Sequence, residues 1–194
     1  FITARPQLVI VTGGYVGFSA GIWARVLGIP LCVCEQNMRA GWTNRVLARL
    51  ASVLFTAYPN VFGAYADKVL LTGNPLRQDL VDYHNHYKKK PVTAPEDRPL
   101  RVLVLGGSQG ARSLNSLLPS IVARLDARVQ VQHQCGSGDV AAVSEAYKAQ
   151  NIPAEVQPFF KNMLEAYSAA DVVIARAGAL TLSELMMVGC ASII

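Results

Sequence analysis

Short apolar runs rich in β-branched residues alternate along the chain with stretches whose apolar residues recur at helical spacing. The runs predict strands at 7–11, 31–34, 53–57, 67–71, 101–105, 129–133, 155–158 and 171–175. The spaced stretches predict helices at 19–27, 43–51, 114–122, 140–149, 163–170 and 181–188. Strands that alternate with helices in this way are typical of parallel sheets covered on both faces. The hydrophobic pattern therefore predicts an α/β protein.

The alternation stops between residues 82 and 99, where three prolines and many charged residues stand with almost no apolar spacing. Such a composition is typical of a linker between domains. We therefore expect one domain at 1–81, a linker at 82–99 and a second domain at 100–194. His84 and His86 fall within this linker, where solvated side chains are favoured over ligands.

Three predicted strands run directly into glycine-rich turns, at 12–17, 106–110 and 176–179. Glycine lets the backbone approach a ligand closely, and the N–H groups at the start of the following helix favour an anion. A phosphate is therefore the expected occupant, although a turn of this kind also serves packing alone. A fourth strand ends in Glu35-Gln36-Asn37, which places polar side chains at the edge where parallel sheets bind ligands.

Composition and charge narrow the classes of partner. The 194 residues are 52% hydrophobic and carry a net charge of +5, which suits acidic partners such as nucleotide phosphates or anionic lipid head groups. Nucleic acid is not expected, because no basic stripe is interleaved with aromatic residues. The four cysteines lack metal-ligand spacing, so we expect a reducing compartment and no metal. The chain starts at Phe1 and stops inside an apolar run, so we expect an internal fragment.

Six motifs carry a resemblance to a known family. They are GGYVGF at 13–18, EQN at 35–37, AGWTNR at 40–45, GNPLR at 73–77, GGSQGAR at 106–112 and ARAGALTLSEL at 175–185. In identity, order and spacing they resemble the MurG family of peptidoglycan glycosyltransferases. The resemblance implies a GT-B fold, with two Rossmann-like parallel-sheet domains facing a cleft, both incomplete here.

The resemblance also implies a reaction and its partners. The family moves N-acetylglucosamine (GlcNAc) from UDP-GlcNAc to the MurNAc C4 hydroxyl of lipid I, which is undecaprenyl-pyrophosphoryl-MurNAc-pentapeptide. The product is lipid II, and the displacement inverts the anomeric carbon without a metal or other cofactor. The implied location is the cytoplasmic face of the bacterial plasma membrane, as a peripheral protein. Phe18, Ile22, Trp23 and Arg25 are candidates for contact with the membrane surface, with a core position as the alternative for Ile22 and Trp23.

The family's substrate-binding positions fall, motif by motif, on Asn37, Arg77, Ser108, Phe160, Ala179, Leu180, Thr181, Leu182, Ser183 and Glu184. By resemblance, Asn37 and Ser108 would approach the sugar-diphosphate region. Phe160 would meet the uracil through its backbone. Arg77, placed in the first domain, would reach the donor across the cleft; the alternative is a solvated surface arginine.

The helix predicted at 181–188 would carry the phosphate and ribose contacts of the donor. Residues 179–181 would offer backbone N–H groups to the phosphates, and Glu184 would accept the ribose hydroxyls. Thr181, Ser183 and Glu184 are expected in the first turn, where a carboxylate is also favoured by the helix dipole alone. Both explanations of Glu184 stay open.

The catalytic base is expected to lie outside this chain, because the family's loops that carry candidates are not in the sequence. Glu35 is the candidate within it. Cys34 stands where the family usually has histidine, which leaves the role of that position open. Two other functions stay open as well: another GT-B enzyme that uses a UDP-sugar, such as an epimerase, or a truncated UDP-sugar-binding fragment without catalysis.

Overall fold

The computed structural model describes residues 5–86, 97–107, 111–125 and 128–194. The chain divides into two compact units, Phe1–Pro75 and Leu76–Ile194. Each unit holds one parallel sheet with its own buried core. The predicted α/β class is therefore confirmed.

The first unit is built on a four-stranded parallel sheet. Its elements are β1 (Val9–Val11), α1 (Gly14–Val26), β2 (Leu31–Glu35), α2 (Trp42–Ala48), β3 (Val53–Thr56), a 3-10 helix (Gly63–Lys68) and β4 (Val69–Leu71). The strands lie in the order β1-β2-β3-β4. Because the register pairs Val11 with Val33 and Glu35 with Thr56, the ends of β1, β2 and β3 lie along one edge.

Helices α1 and α2 approach each other closely because residue 21 has no side chain. A Cβ atom at Gly21 would lie 2.6 Å from Cδ1 of Leu47, which is fully buried. The core beneath the helices consists of Val11, Leu31, Val33, Leu47, Ala48, Ala51, Leu54 and Phe62. This packing fixes α2 against the sheet, and with it the loop between β2 and α2.

The second unit has a five-stranded parallel sheet with helices around it. Its elements are α3 (Gln78–His86), β5 (Leu100–Leu105), α4 (Arg112–Val122), β6 (Val129–Gln134), α5 (Val140–Ala149), β7 (Ala154–Gln157), α6 (Met163–Ala169), β8 (Val172–Ala175), α7 (Ala179–Val188) and β9 (Ala191–Ile193). The strand order is β7-β6-β5-β8-β9. One core contains Leu80, Phe160, Tyr167 and Leu185, and the other contains Leu118, Val131 and Tyr147.

The strand order of the second unit contains one reversal. The chain moves outward from β5 through β6 to β7, then returns to the other side of β5 for β8 and β9. This is the order of a Rossmann-like half, in which ligands bind at the carboxyl ends of the strands where the order reverses. Here that point lies between β5 and β8, which are paired with Leu105 opposite Ala175.

Helix α3 corrects the predicted linker. Residues 82–86 are helical and belong to the second unit, whereas residues 87–96 lie outside the described part of the chain. The apolar positions of α3 are too sparse to predict a helix, but Leu80 is fully buried in the core of the second unit. His84 is also not merely solvated, because its Nδ1 lies 2.8 Å from the carbonyl oxygen of Met187 in α7.

Helices α1 and α7 begin earlier than predicted, each directly after a glycine. Helix α1 begins at Gly14 and α7 begins at Ala179. Glycine carries no apolar signal, so the hydrophobic pattern does not mark these starts. As a result, Ser183 and Glu184 lie in the second turn of α7 and not in the first.

Arg98 joins the start of β5 to the start of β8. Its guanidinium donates two hydrogen bonds of 2.7 Å to the carboxylate of Asp171, which also accepts one of 2.8 Å from the backbone N–H of Arg101. The Arg98 guanidinium is the main reason that the pKa of Asp171 lies below its usual range. A group of this kind stabilises the folded state above its unfolded pKa of about 3.9, and the contribution is lost as the pH falls through the folded-state pKa.

Arg98→Ala is therefore expected to move acid unfolding to higher pH. Without Arg98 the folded-state pKa of Asp171 rises toward its ordinary value. The ionised carboxylate then stabilises the folded state less at pH values above the unfolded pKa. At pH values below the folded-state pKa of the parent, the stability difference between the parent and the variant disappears. Circular dichroism between pH 7 and pH 2 measures the midpoint, with Arg124→Ala, an exposed arginine after α4, as control. Equal midpoints for the parent and Arg98→Ala would contradict this prediction.

Candidate functional site

Two glycine turns meet at the reversal of strand order in the second unit. One follows β5 and includes Gly107, whose φ of 77° is in the left-handed region; the other follows β8 and ends at Gly178. Residues 108–110 lie outside the described part of the chain, so Ser108 is not placed by the structure. The predicted phosphate turns are thus at the edge where a Rossmann-like sheet binds its ligand.

The start of α7 is suited to an anion. Gly178 caps the helix without a side-chain hydrogen bond, and the first turn of the helix carries no acidic residue. A Cβ atom at Gly178 would lie 3.3 Å from Oγ1 of Thr181, so a side chain at this position would crowd the first turn. Leu180 is exposed, and the hydroxyl of Ser183 donates to the carbonyl oxygen of Ala179 at 3.0 Å. The positive end of the helix dipole is therefore not neutralised by a carboxylate of its own first turn.

Glu184 is half-buried on α7 and is held by a tyrosine from α6. The hydroxyl of Tyr167 donates a hydrogen bond of 2.8 Å to Oε2 of Glu184. Tyr167 is 1% exposed, and this burial, followed by the hydrogen bond to Glu184, raises the pKa of its hydroxyl. The hydroxyl therefore stays protonated and is a permanent donor to the carboxylate.

Arg77 lies in the second unit, which corrects its predicted place in the first domain. It directly precedes α3, its Nε lies 3.5 Å from Oδ1 of Asp79, and its charge acts on the hydroxyl of Tyr167. The reason is the anchoring of α3 by Leu80, which carries the residues before it into this unit. Arg77 and Glu184 therefore do not approach a donor from opposite domains.

Phe160 lies in the same core as Tyr167, and its backbone N–H is already occupied. Oε1 of Gln134, at the end of β6, accepts a hydrogen bond of 3.0 Å from it. Gln134 is 5% exposed. A nucleobase that contacts the backbone of Phe160 must therefore use the carbonyl oxygen of Phe160 or displace the Gln134 side chain. Sequence reasoning missed Gln134, although its place at a strand end was a usable signal.

A buried polar network supports the loop after β6, and sequence reasoning missed it as well. Nδ1 of His133 lies 3.0 Å from the hydroxyl of Tyr147, and Nε2 lies 3.1 Å from Oδ1 of Asn115. The amide nitrogen of Asn115 donates to the carbonyl of Cys135 and to Oδ2 of Asp139. Since Oδ1 of Asn115 can only accept, His133 carries its proton on Nε2. Burial lowers the pKa of His133 to about 4, so it is neutral.

The first unit has a separate pocket of about 590 Å³ at the carboxyl ends of β1 and β2. Its lining residues are Thr12, Gly13, Gly14, Tyr15, Glu35, Asn37, Gly41, Trp42, Thr43 and Asn44. The side chain of Asn44 is 2% exposed, and its Oδ1 has no hydrogen-bond partner among the described residues. The pocket therefore combines the open start of α1 with a buried acceptor oxygen.

Glu35 holds this pocket together. The carboxylate is 2% exposed and accepts four hydrogen bonds, from the backbone N–H and the side-chain amide of Asn37, the backbone N–H of Gly41 and the side-chain amide of Asn44. These four donors satisfy both oxygens of the buried carboxylate. A general base must reach a substrate proton, so this geometry favours a structural role for Glu35 over the predicted role of base.

The predicted substrate-binding residues thus fall into two groups. Arg77, Phe160 and residues 179–184 lie in the second unit, and Asn37 lies in the first.

Cys34, which directly precedes Glu35 in β2, is half-buried, and burial is the main cause of the raised pKa of its thiol.

No group of three His, Cys, Asp or Glu residues that could hold a metal ion occurs in the part of the chain that the structure describes. Among the described helices, none has the length and apolar character to cross a bilayer.

Comparison with family models matches both halves of the chain. Residues 1–56 match the glycosyltransferase family 28 N-terminal domain, and residues 101–194 match the glycosyltransferase family 28 C-terminal domain. Two relatives, from Aeromonas hydrophila and Ectopseudomonas mendocina, are 44% and 45% identical to it over 98% and 97% of its length. Both are named UDP-N-acetylglucosamine–N-acetylmuramyl-(pentapeptide) pyrophosphoryl-undecaprenol N-acetylglucosamine transferase. The chain spans about half the length of these curated relatives, 51% in each case.

Solved structures with a similar fold cover almost the whole chain. Acinetobacter baumannii MurG superposes with a TM-score of 0.67 at 40% identity, over 92% of this chain and 49% of that one. UDP-GlcNAc 2-epimerase from Neisseria meningitidis has a TM-score of 0.63 at 14% identity, over 96% of this chain and 58% of that one, and shows the fold alone. The two parallel sheets define the GT-B class, as predicted. The chain belongs to glycosyltransferase family 28.

Proposed function

We propose that this chain belongs to an inverting transferase that moves GlcNAc from UDP-GlcNAc to the MurNAc C4 hydroxyl of lipid I, in peptidoglycan synthesis. The observation that carries the proposal is the clustering of donor contacts around Tyr167 in one unit. Glu184 accepts a hydrogen bond from its hydroxyl, Phe160 shares its core, and Arg77 directly precedes α3, whose Leu80 lies in that core. These are positions that the family resemblance gives to the donor. The names of the relatives support the same substrates.

The N–H groups at the start of α7 can stabilise the negative charge that develops in this transfer. The acceptor hydroxyl forms a bond to the anomeric carbon of GlcNAc as the bond from that carbon to the β-phosphate oxygen breaks. The hydroxyl proton passes to a base, and UDP leaves with additional negative charge on its diphosphate. N–H dipoles at the first turn, residues 179–181, stabilise this charge more in the transition state than in the bound substrate. Such stabilisation raises the rate without a metal.

We propose that lipid I, the acceptor substrate, binds in the pocket of the first unit. The start of α1 has no side-chain cap and suits a diphosphate, and the buried Oδ1 of Asn44 can accept a hydrogen bond from a hydroxyl or amide group. Lipid I is tethered to the membrane, so we propose that the protein works as a peripheral protein at the cytoplasmic membrane face. The outer face of α1 suits that contact, because Tyr15, Val16 and Trp23 are 91%, 85% and 57% exposed.

Of the four residues that the sequence offered for membrane contact, two lie at the surface. Trp23 and Arg25 are exposed, so Trp23 is not in the core. Phe18 and Ile22 are half-buried and pack against the core of the first unit. The proposed membrane surface on α1 therefore includes Trp23 but not Ile22, whereas Arg25, two residues beyond Trp23, lies on another side of the helix.

The experiment combines calorimetry with UDP-GlcNAc and a lipid I turnover assay in the whole protein. Glu184→Ala is expected to weaken UDP-GlcNAc binding by about 1.5 to 3 kcal/mol, or roughly 10- to 150-fold, because it removes hydrogen bonds to a charged acceptor. Glu145→Ala is the matched control, since Glu145 is an exposed glutamate on α5.

Equal affinity in the parent and in Glu184→Ala, with both folded, would remove Glu184 from the donor site. Binding of UDP-GlcNAc without turnover of lipid I would instead favour a UDP-sugar-binding module. Turnover of the UDP-sugar without transfer to lipid I would favour another enzyme of the same fold class.

A further inference from the structure

The carboxylate of Glu184 accepts a hydrogen bond from Tyr167, whose side chain is held by the surrounding core. Tyr167 is 1% exposed and packs among Leu80, Leu103, Phe160, Val173 and Leu185. Its hydroxyl is the polar atom at the edge of this core, 2.8 Å from Oε2 of Glu184. The packing of the second unit therefore sets the position of the Tyr167 hydroxyl, which donates this hydrogen bond.

A hydrogen bond from a fixed donor changes what Glu184 can do. An unrestrained glutamate at a half-buried helix position samples several rotamers and loses that freedom when it binds a ligand. Here one oxygen is already engaged, so the carboxylate is held in one orientation before a ligand arrives. The raised pKa of Tyr167 keeps its hydroxyl protonated, so it cannot become a competing anion.

We propose that Tyr167 is a positioning residue that orients Glu184 so that Oε1 accepts hydrogen bonds from the vicinal hydroxyls of a nucleotide ribose. This inference rests on the proposed function, because it deepens the same donor site. The ligand class it selects is a ribonucleoside diphosphate, free or joined to a sugar. A deoxynucleotide without these hydroxyls does not benefit from the orientation of Glu184.

The chain provides a matched control for the loss of one buried hydroxyl. Tyr147 is also 1% exposed, and its hydroxyl also has one buried partner, Nδ1 of His133. That partner is neutral and lies in the other core of the second unit. Tyr147→Phe and Tyr167→Phe therefore remove the same atom from similar surroundings, but only one of them frees Glu184.

The test is calorimetry of the whole protein with UDP and with 2′,3′-dideoxy-UDP. Tyr167→Phe is expected to raise the Kd for UDP about 5- to 10-fold, a smaller loss than for Glu184→Ala, because it removes the orientation of the carboxylate and not the carboxylate itself. The same variant is expected to bind 2′,3′-dideoxy-UDP as the parent does. Tyr147→Phe should bind both nucleotides as the parent does, and thermal unfolding verifies that each variant is folded.

A double-mutant cycle then separates positioning from a general structural effect. In the Glu184→Ala background, Tyr167→Phe is expected to have no further effect on the Kd for UDP, because its partner is already absent. A full loss of affinity in that background would overturn the inference. So would an equal loss for the dideoxy nucleotide, or an unchanged Kd for UDP in Tyr167→Phe alone.

The two proposals fail in different ways. If the parent binds UDP and Glu184→Ala weakens that binding while Tyr167→Phe does not, the positioning role is wrong and the donor site stands. If the parent binds UDP and Glu184→Ala binds it equally well, Glu184 lies outside the donor site and the positioning role is wrong. If the parent does not bind UDP, the proposed function and the positioning role are both wrong.

Discussion

Replacing Glu35 with alanine is expected to destabilise the first unit by about 3 to 5 kcal/mol, because the buried donors around its carboxylate lose their acceptor. The carboxylate is 2% exposed and accepts hydrogen bonds from two backbone N–H groups and two side-chain amides. Alanine leaves these donors without their acceptor, and each buried unsatisfied donor costs about 1 to 3 kcal/mol. The loop between β2 and α2 would therefore lose the contacts that order it.

Hydrogen exchange of peptides from β2 and α2 can follow this unit alone, because both elements belong to it. Its dependence on urea in the whole protein gives the free energy of unfolding of this unit. Asp67→Ala is the control, since Asp67 is exposed on the 3-10 helix and should change that free energy by less than about 0.5 kcal/mol.

The same variants separate the structural role of Glu35 from the role of catalytic base. If Glu35 is structural, Glu35→Gln loses stability as well as activity, because the new amide N–H₂ faces donors. A Glu35→Gln protein with the parent's stability and no turnover would instead make Glu35 the base. Glu35→Ala with the stability of Asp67→Ala would contradict the four-donor network as the source of order.

Acid is expected to destabilise the second unit through His133, by as much as roughly 3 kcal/mol between pH 6.5 and pH 4. Burial lowers the pKa of His133 from its ordinary value of 6.5 to about 4. Between these values the unfolded chain binds a proton that the folded protein does not, so stability rises with pH in this range and falls on acidification. Above pH 6.5 both states are neutral and the effect is absent.

Hydrogen exchange of peptides from β5 and β6 at pH 4 to 7 measures this change in the right unit. His133→Asn should be less stable at pH 7, since it disrupts the bonds to Tyr147 and Asn115, yet its stability should depend less on pH between 6.5 and 4. Stability of the parent that is flat across this range would contradict the prediction. So would a variant with the same slope as the parent. The Asp171 contribution acts at lower pH, so the two effects are separable.

Several features of the fold could be predicted because they depend on neighbouring residues. The run from Arg101 to Leu105 and the run ending at Ala175 both predicted strands, and both are strands. Glycine turns were predicted directly after both runs, and the structure adds that β5 and β8 are adjacent, so these turns lie at one edge of the sheet. Pattern and spacing were sufficient here, since a buried strand, a glycine turn and a helix start are each set within a few residues.

Other features depend on which distant surfaces come into contact, and these only the tertiary structure decided. The polar segment 78–86 is a helix of the second unit because Leu80 is buried in that unit's core, and Arg77 follows it there. Tyr167 meets Glu184 seventeen residues further on, and His133 meets Asn115 eighteen residues before it. The sequence by itself determined the strands, the glycine turns and the family; packing between segments far apart in the chain decided which side chains meet, because a hydrogen-bond partner is chosen by position in space and not by spacing along the chain.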